Sequence, residues 1–385
     1  MNILSPVDWT FPVPVFLGPG RVSDIGPFCE SSGITAPLIV TDRGSRDLPF
    51  VGRLREMLTA QGLRAAVFSD VNPNPTDENA TEGKAVFEAG AHDGVIAIGG
   101  GSAMDAAKAI SLIVGHDTPL WSFDFDATPP AAHAFAPLIC VPTTAGTGAE
   151  TDSTAMITDT GRGIKGCVWH PEHRPALAIL DPELTVGLPA NLTAWTGCDA
   201  LTHAIEAYCV DMFHPMCDGA ALEALTLVNG AIRQAVAQPD DLEARMAMLT
   251  GSCLAGVSFL KGLGMVHAVS HMVGALYDTQ HGLTNAVLLP AVLRFNRAAI
   301  EDRIPAMSHA LGLESRDFDG FYAAVCGILD DLEIPKSLAE LGVGPDRIEE
   351  LARKASGDPA AATNPRQASV GEIEALIAEA VEKAR

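Results

Sequence analysis

The chain has 385 residues, of which 48% are apolar, and a mean hydropathy of +0.20, so it carries ample material for buried cores and intrinsic disorder is excluded. The length favours two domains over a single core. A formal net charge of −23 repels nucleic acid and anionic membrane, so neither is expected as a main partner.

The first residues, Met1–Asp8, show no basic segment followed by an apolar one, and no run of about 20 apolar residues occurs anywhere. A soluble, cytoplasmic protein is expected. Eight cysteines are scattered without a C-x-x-C pair, which argues against a disulfide framework or a structural zinc site and for small buried hydrophobes.

In chain order, Phe11–Phe16 is apolar but interrupted by proline, which suits an edge strand and, by extension, a dimer edge. Pro37–Asp42 reads as a buried strand, 46–62 as a helix, Ala65–Asp70 as a strand, 72–76 as a loop and 77–90 as a helix. Gly94–Ile98 is apolar throughout, as a strand buried on both faces should be. It runs into Gly99-Gly-Gly-Ser-Ala-Met-Asp-Ala-Ala-Lys108, a strand-to-helix turn whose glycines allow close approach of a bulky anion. Ser102 and Asp105 have the spacing of a capping box at the helix start. The segment matches neither G-x-G-x-x-G nor a P-loop.

Pro137–Val141 is the next strand, and it opens into Pro142-Thr-Thr-Ala-Gly-Thr-Gly-Ala-Glu150, a loop of small and hydroxylated residues suited to hydrogen bonding a nucleotide or simply to connecting elements. Ser153–Thr158 and Ala176–Leu180 read as strands. Lys165, His170 and His173 lie between them in a stretch with no assigned element. Alternating strands and helices indicate a parallel sheet. The pattern changes at Asp181–Pro189, and helical periodicity then recurs at 192–210, 217–236, 240–260, 264–276, 285–311, 316–332 and 367–383, with 357–363 as a loop. The fold expected is an α/β domain over 1–185, followed by an all-α domain over 186–385.

Within Thr196–Tyr208, Asp199 and His203 stand four residues apart on one helical face, roughly 5 to 6 Å apart at Cβ. His267 and His271 repeat that spacing in Gly264–Gly274, and His281 follows. A carboxylate and imidazoles at such spacing suit one divalent cation, zinc or iron(II), which acts as a Lewis acid on an alcohol or carbonyl oxygen. Five candidate ligands in about 80 residues of apolar helix are costly to bury without such a purpose. Glu206 is an alternative ligand or a partner to one. His267-Ala-Val-Ser-His271 lacks the glutamate of H-E-x-x-H, so that protease class is excluded. Spacing alone leaves open which four of the five bind.

Taken together, Gly99–Lys108, Pro142–Glu150, Asp181–Pro189, Thr196–Tyr208, His267–His281 and Thr363-Asn-Pro-Arg366 resemble the iron-containing (group III) alcohol dehydrogenase family. The resemblance implies an N-terminal dinucleotide-binding α/β domain, a C-terminal helical domain and an active site in the cleft between them. It implies Asp199, His203, His267 and His281 as metal ligands and His271 as a neighbouring proton relay. It places cofactor contacts on Gly99, Gly100, Gly101 and Ser102, on Thr143, Thr144 and Thr147, and on Asn74, Thr154 and Lys165. Asp42 falls where the family has a ribose-contacting acid; a carboxylate there accepts from a free 2′-hydroxyl and repels a 2′-phosphate, so NAD is favoured over NADP.

The activity implied is reversible oxidation of a small alcohol to an aldehyde or ketone by NAD, with a bound iron(II) or zinc ion, in a homodimer or higher homo-oligomer. Two other readings are an NAD-dependent lyase of the dehydroquinate synthase type and a metal- or nucleotide-binding module without turnover. Lys261, in Val257-Ser-Phe-Leu-Lys-Gly262, departs from the small polar residue of many relatives and bears on the lining or the cofactor side of the expected cleft.

Overall fold

The computed structural model describes residues 13–131, 134–383 and 385, and the chain forms two compact units, residues 13–144 with 149–187 and residues 145–148 with 188–385. The N-terminal segment read for a signal peptide, and the first two residues of the Phe11–Phe16 strand, lie outside the described residues.

The first unit runs β1 (Val15–Leu17), α1 (Ile25–Ser31), β2 (Pro37–Val40), α2 (Pro49–Ala60), β3 (Ala66–Phe68), α3 (Asp77–Ala89), β4 (Gly94–Gly99), α4 (Gly101–Ile113), β5 (Leu138–Pro142), β6 (Ala155–Asp159), β7 (Ile164–Val168) and β8 (Leu177–Leu180). Six strands form one sheet in the order β1-β8-β5-β4-β2-β3, with every pairing parallel. The expected parallel sheet is borne out, and β1 is an edge strand. Alternate residues of the central strands supply two cores. Leu38, Val40, Val95 and Ala97 pack with Phe87, Met104 and Ile110 of α3 and α4, whereas Ile39, Ile96, Ile98 and Val141 pack with Ile25, Leu54 and Leu58 of α1 and α2. Helices on both faces explain why these strands read as unbroken apolar runs.

Two expectations need correction here. The Ser153–Thr158 strand does not join the main sheet; as β6 it pairs antiparallel with β7, a strand in the unassigned stretch, and the hairpin buries Ala155, Ile157 and Val168 against Ala109, Leu112 and Phe123. Ser102 also does not cap α4. Gly100 holds the N-cap position with no side-chain cap, so Ser102 already lies inside the first turn and its spacing to Asp105 is that of two helical residues.

The second unit is helical: α5 (Ala190–Cys209), α6 (Pro215–Ala237), α7 (Leu242–Ser258), α8 (Met265–Tyr277), α9 (His281–Ile300), α10 (Ile304–Ala310), α11 (Phe318–Asp331), α12 (Ile348–Ala355), α13 (Pro359–Thr363) and α14 (Val370–Lys383). α5 is buried along most of its length, against α6, α7 and α9. The single helix expected over 285–311 is two, α9 and α10, separated by a turn at 301–303. The expected loop at 357–363 contains α13, which begins at Pro359 behind an Asp358 N-cap. No single described helix is long and apolar enough to cross a membrane. All eight cysteines are free, and all but Cys167 and Cys326 are buried.

Candidate metal centre and cofactor strand ends

α5 carries Asp199 and His203 one turn apart, α8 carries His267, and α9 opens on His281. Their ligand atoms all lie within 4.8 Å of one another, and all but the half-buried His281 are buried. Asp199 Oδ1 is 3.7 Å from His203 Nδ1, 3.8 Å from His267 Nε2 and 3.7 Å from His281 Nε2. Tetrahedral donors about 2.1 Å from a cation stand roughly 3.4 Å apart, so the three distances from Asp199 exceed that separation by only a few tenths of an ångström. His203 Nδ1 is buried without a hydrogen-bond partner among the described residues, as a lone pair intended for a metal would be. Three imidazoles and a carboxylate in a largely buried site fit a divalent cation.

Charge in this group is strongly coupled. Burial disfavours ionised Asp199, but His203, His281 and His267 outweigh it and hold the carboxyl well below the usual carboxylate range. Burial pushes His203 down to about 4 despite Asp199, which leaves it a neutral donor. Burial also acts against charge on His267, yet Asp199 and Glu206 raise it to about 9.

The start of α8 shows how the fold aims His267. Its N-cap is Gly264, which has no side chain to accept the orphan amides of the first turn. Two remote side chains do so: Asn364 Oδ1 accepts from Met265 N at 3.0 Å, and Glu206 Oε1 accepts from Val266 N at 2.8 Å. A Cβ on Gly264 would come within 2.7 Å of Glu206 Oε1 and 2.8 Å of Asn364 Oδ1, so only glycine admits both. Glu206 Oε2 accepts from His267 Nδ1 at 2.6 Å, which turns Nε2 toward Asp199. Glu206 is thus the hydrogen-bond partner of His267 and is not among the four grouped donors. Thr363 adds a second tie, accepting from Leu263 N at 3.2 Å and donating to Leu263 O at 2.8 Å.

Three residues around the centre escaped the sequence reading. Asn285 Nδ2 lies 2.7 Å from Asp199 Oδ1 and 3.1 Å from both His267 Nε2 and His281 Nε2. Its spacing of four from His281 is the same signal that singled out Asp199 and His203. Asp358 meets His271, and an Asp directly before a Pro is a helix-start signal that marked it. Asn296 donates to Asn364 Oδ1 at 3.0 Å and had no local signal. His271 is buried one turn after His267, with its ring stacked on His281 at 5.5 Å between centroids. Lys261 is buried and directed at Asp218 of α6, with 2.5 Å between Nζ and Oδ1, so it anchors the turn before α8 to α6.

In the α/β unit, the strand order reverses between β2 and β4: the chain passes from β2 out to β3, and from β4 through β5 to β8 in the other direction. Crevices at such reversals, beyond the carboxyl ends of the strands, are where open α/β sheets bind nucleotides. Asp42 follows β2 there, Gly99 ends β4, and Gly100 follows it as the N-cap of α4. Gly99 has φ +150, and a Cβ on it would meet Ala103 Cβ at 2.7 Å and Asp42 Oδ2 at 3.2 Å. The Asp42 carboxylate accepts from Ser45 N at 3.0 Å and Ser45 Oγ at 2.9 Å. Thr143 N donates to Gly99 O at 2.8 Å, and the Thr144 side chain faces Gly100. Gly101 and Ser102 form the first turn of α4, whose orphan amides point out of this end.

The remaining expected cofactor residues are dispersed. Lys165 Nζ donates to Asn74 Oδ1 at 3.3 Å, which joins those two. Thr154 donates to Asp152, while its carbonyl accepts from Lys108 Nζ at 2.7 Å. Thr147 belongs to the helical unit. His173 is held by Ser111, with 2.9 Å between Nε2 and Oγ, and burial pushes its pKa down to about 3.

Residues 12–182 match the family profile described as iron-containing alcohol dehydrogenase, and residues 193–381 match the profile described as Fe-containing alcohol dehydrogenase family, C-terminal. The chain is 37% identical to an NAD-dependent methanol dehydrogenase of Bacillus methanolicus, over 95% of this chain and 97% of that protein. It is 36% identical to a 1,3-propanediol dehydrogenase of Klebsiella pneumoniae, over 97% of this chain and 98% of that protein. A crystal structure of a 1,3-propanediol oxidoreductase superposes with a TM-score of 0.92 at 36% identity, covering 97% of this chain and all of that one. The chain therefore belongs to the iron-containing alcohol dehydrogenase family.

Proposed function

We propose that the protein is an NAD-dependent dehydrogenase of small alcohols that also reduces the corresponding aldehydes and requires one divalent cation. The observation that carries this reading is the Asp199, His203, His267 and His281 cluster, four donors gathered from three helices of one unit. Relatives matched along nearly their whole length are named methanol and 1,3-propanediol dehydrogenases, which favours net redox turnover over a lyase that cycles its NAD internally and over a binding module without turnover.

The reaction converts an alcohol and NAD⁺ to a carbonyl compound, NADH and a proton. The C–H bond of the carbinol carbon breaks and its hydrogen leaves with the electron pair for C4 of the nicotinamide; the hydroxyl proton leaves separately. When bound, the cation supplies Lewis acidity toward the substrate oxygen. Asp199 and the three imidazoles hold it, and Glu206 and Asn285 orient those donors. His271 is the residue to take the hydroxyl proton, at Nε2, because its Nδ1 is engaged by Asp358. Gly99, Gly100, Gly101, Ser102, Thr143 and Thr144 cradle the dinucleotide phosphates, Asp42 reads the ribose, and Asn74, Thr147, Thr154 and Lys165 complete the contacts. Three nitrogen donors and one oxygen suit iron(II) and zinc alike; the family assignment favours iron.

The test is elemental analysis of protein purified without oxygen, joined to a panel of short alcohols and aldehydes with NAD(H) followed by NADH absorbance. About one iron or zinc per chain with NADH formation supports the reading, as does loss of both in His267→Ala. Full turnover by metal-free protein, or NAD binding without turnover across the panel, refutes it.

A further inference from the structure

His271 sits at the edge of the metal cluster without being one of its four grouped donors, and what fixes its ring lies 87 residues away in the chain. Its Nδ1 is 2.9 Å from Asp358 Oδ2. Asp358 is itself buried, and its other oxygen, Oδ1, accepts the amide of Ala360 at 2.8 Å as the N-cap of α13. One carboxylate oxygen is therefore held by backbone and the second is presented to the imidazole. A carboxylate only accepts, so a neutral imidazole facing it carries its single proton on Nδ1 and keeps the lone pair on Nε2.

We propose that Asp358 is the positioning residue of His271, setting the tautomer and ring orientation that leave Nε2 as the proton-accepting atom beside the metal centre. The proposal rests on the reading that His271 relays the substrate proton. In alcohol oxidation the hydroxyl proton needs a lone pair to receive it, and Nε2 has one only in this tautomer. With the opposite tautomer the ring presents an N–H where the acceptor is required, and relay stops although the histidine is in place.

The surroundings keep the ring from turning over. It stacks on His281 with an interplanar angle of 12° and meets His267 edge-on at 5.9 Å between centroids. Asp358 lies in the same short segment as Thr363 and Asn364, which tie down Leu263 and Met265 at the start of α8. One C-terminal segment thus sets both the entry of α8 and, two turns further on, the ring of His271.

The experiment separates capping from positioning. In Asp358→Ser the hydroxyl still accepts from Ala360 N but is too short to reach His271. In Asp358→Asn the one remaining oxygen is contested by Ala360 N–H and His271, and an amide nitrogen turned to the ring demands the lone pair on Nδ1. The first readout is ¹⁵N NMR of metal-free protein labelled at histidine, with His271 assigned by its loss in His271→Asn. The wild type is expected to carry its proton on Nδ1, the Ser variant to show a mixture of tautomers, and the Asn variant the reverse tautomer. The second readout is steady-state kinetics of the metal-loaded enzymes. Metal content and KM for NAD should stay near wild type in Asp358→Ser while kcat falls by about 10²-fold.

A wild-type His271 protonated on Nε2 overturns the proposal before any variant is made. An Asp358→Ser protein that keeps the wild-type tautomer, or keeps kcat within twofold, overturns it as well. Full turnover by His271→Asn instead refutes the relay, and the NMR result then still decides whether Asp358 sets the ring.

Discussion

Glu206 joins the cap of a helix to the aim of His267, a candidate metal ligand: one carboxylate oxygen accepts the Val266 amide at 2.8 Å and the other accepts His267 Nδ1 at 2.6 Å. The negative group sits at the positive end of α8, where the helix dipole favours it. Substituting Glu206→Gln keeps the size but lets the amide nitrogen oppose the His267 Nδ1 proton. Metal affinity should fall by about 10- to 100-fold, as measured by competition with a calibrated chelator. Unchanged affinity would show that His267 is aimed by packing alone.

Asn364 accepts from Met265 N and Asn296 Nδ2 at 3.0 Å each and donates to Asn296 Oδ1 at 2.9 Å. Asn364→Ala strands these buried partners, at a cost of about 1–3 kcal/mol for each group left unsatisfied. A clear drop in melting temperature is expected, together with faster metal loss on dialysis, because the start of α8 is released. A melting temperature within one degree of wild type, an interval of about 0.5 kcal/mol or less, would refute it.

Asn285 donates to Asp199 Oδ1 from 2.7 Å. Asn285→Asp places a second carboxylate against the first, and like charges so close repel strongly in a dry site. The metal-free variant should melt below metal-free wild type, and zinc or iron(II) should restore more stability to it than to wild type. Differential scanning calorimetry with and without metal measures both. An equal metal-induced shift in the two proteins would be the contrary result.

Glu150 is buried in the α/β unit, and burial, with Asp152 adding to it, raises its pKa from 4.5 to about 7 against the pull of Lys108. Between those values the folded protein holds a proton that the unfolded chain has lost, so this group's contribution to stability declines as pH rises through that window. Glu150→Gln has no such decline. The melting temperature of the variant minus that of wild type should grow from pH 4.5 to about 7 and then level off. A difference independent of pH would show that Glu150 is ionised in the folded protein at acid pH.

Asp42 stands at the reversal of strand order with Ser45 fixing its carboxylate. Removing the charge in Asp42→Ser should raise the ratio of kcat/KM for NADP over NAD by roughly tenfold or more, since a 2′-phosphate is no longer opposed. Initial rates with both cofactors decide it. A ratio unchanged within twofold would move the ribose contact elsewhere.

Local periodicity made much of this protein legible. Apolar strands ahead of helices named the parallel sheet, because a strand covered on both faces must be apolar at every position, as Gly94–Ile98 is. The i, i+4 rule put Asp199 beside His203, since a helix repeats its face every turn. What periodicity cannot carry is contact between distant segments. The Ser102 cap failed because the helix began two residues earlier than its local motif implied, and 357–363 read as a loop because α13 is too short to show a period. Glu206 with His267, Asn285 with Asp199 and Asp358 with His271 are separated by 61, 86 and 87 residues. Such pairs exist only once the helices have packed. The residue types of the candidate metal centre were written in the chain itself, and the packing decided that His267 turns Nδ1 to Glu206 and Nε2 to Asp199, and that His271 turns Nδ1 to Asp358.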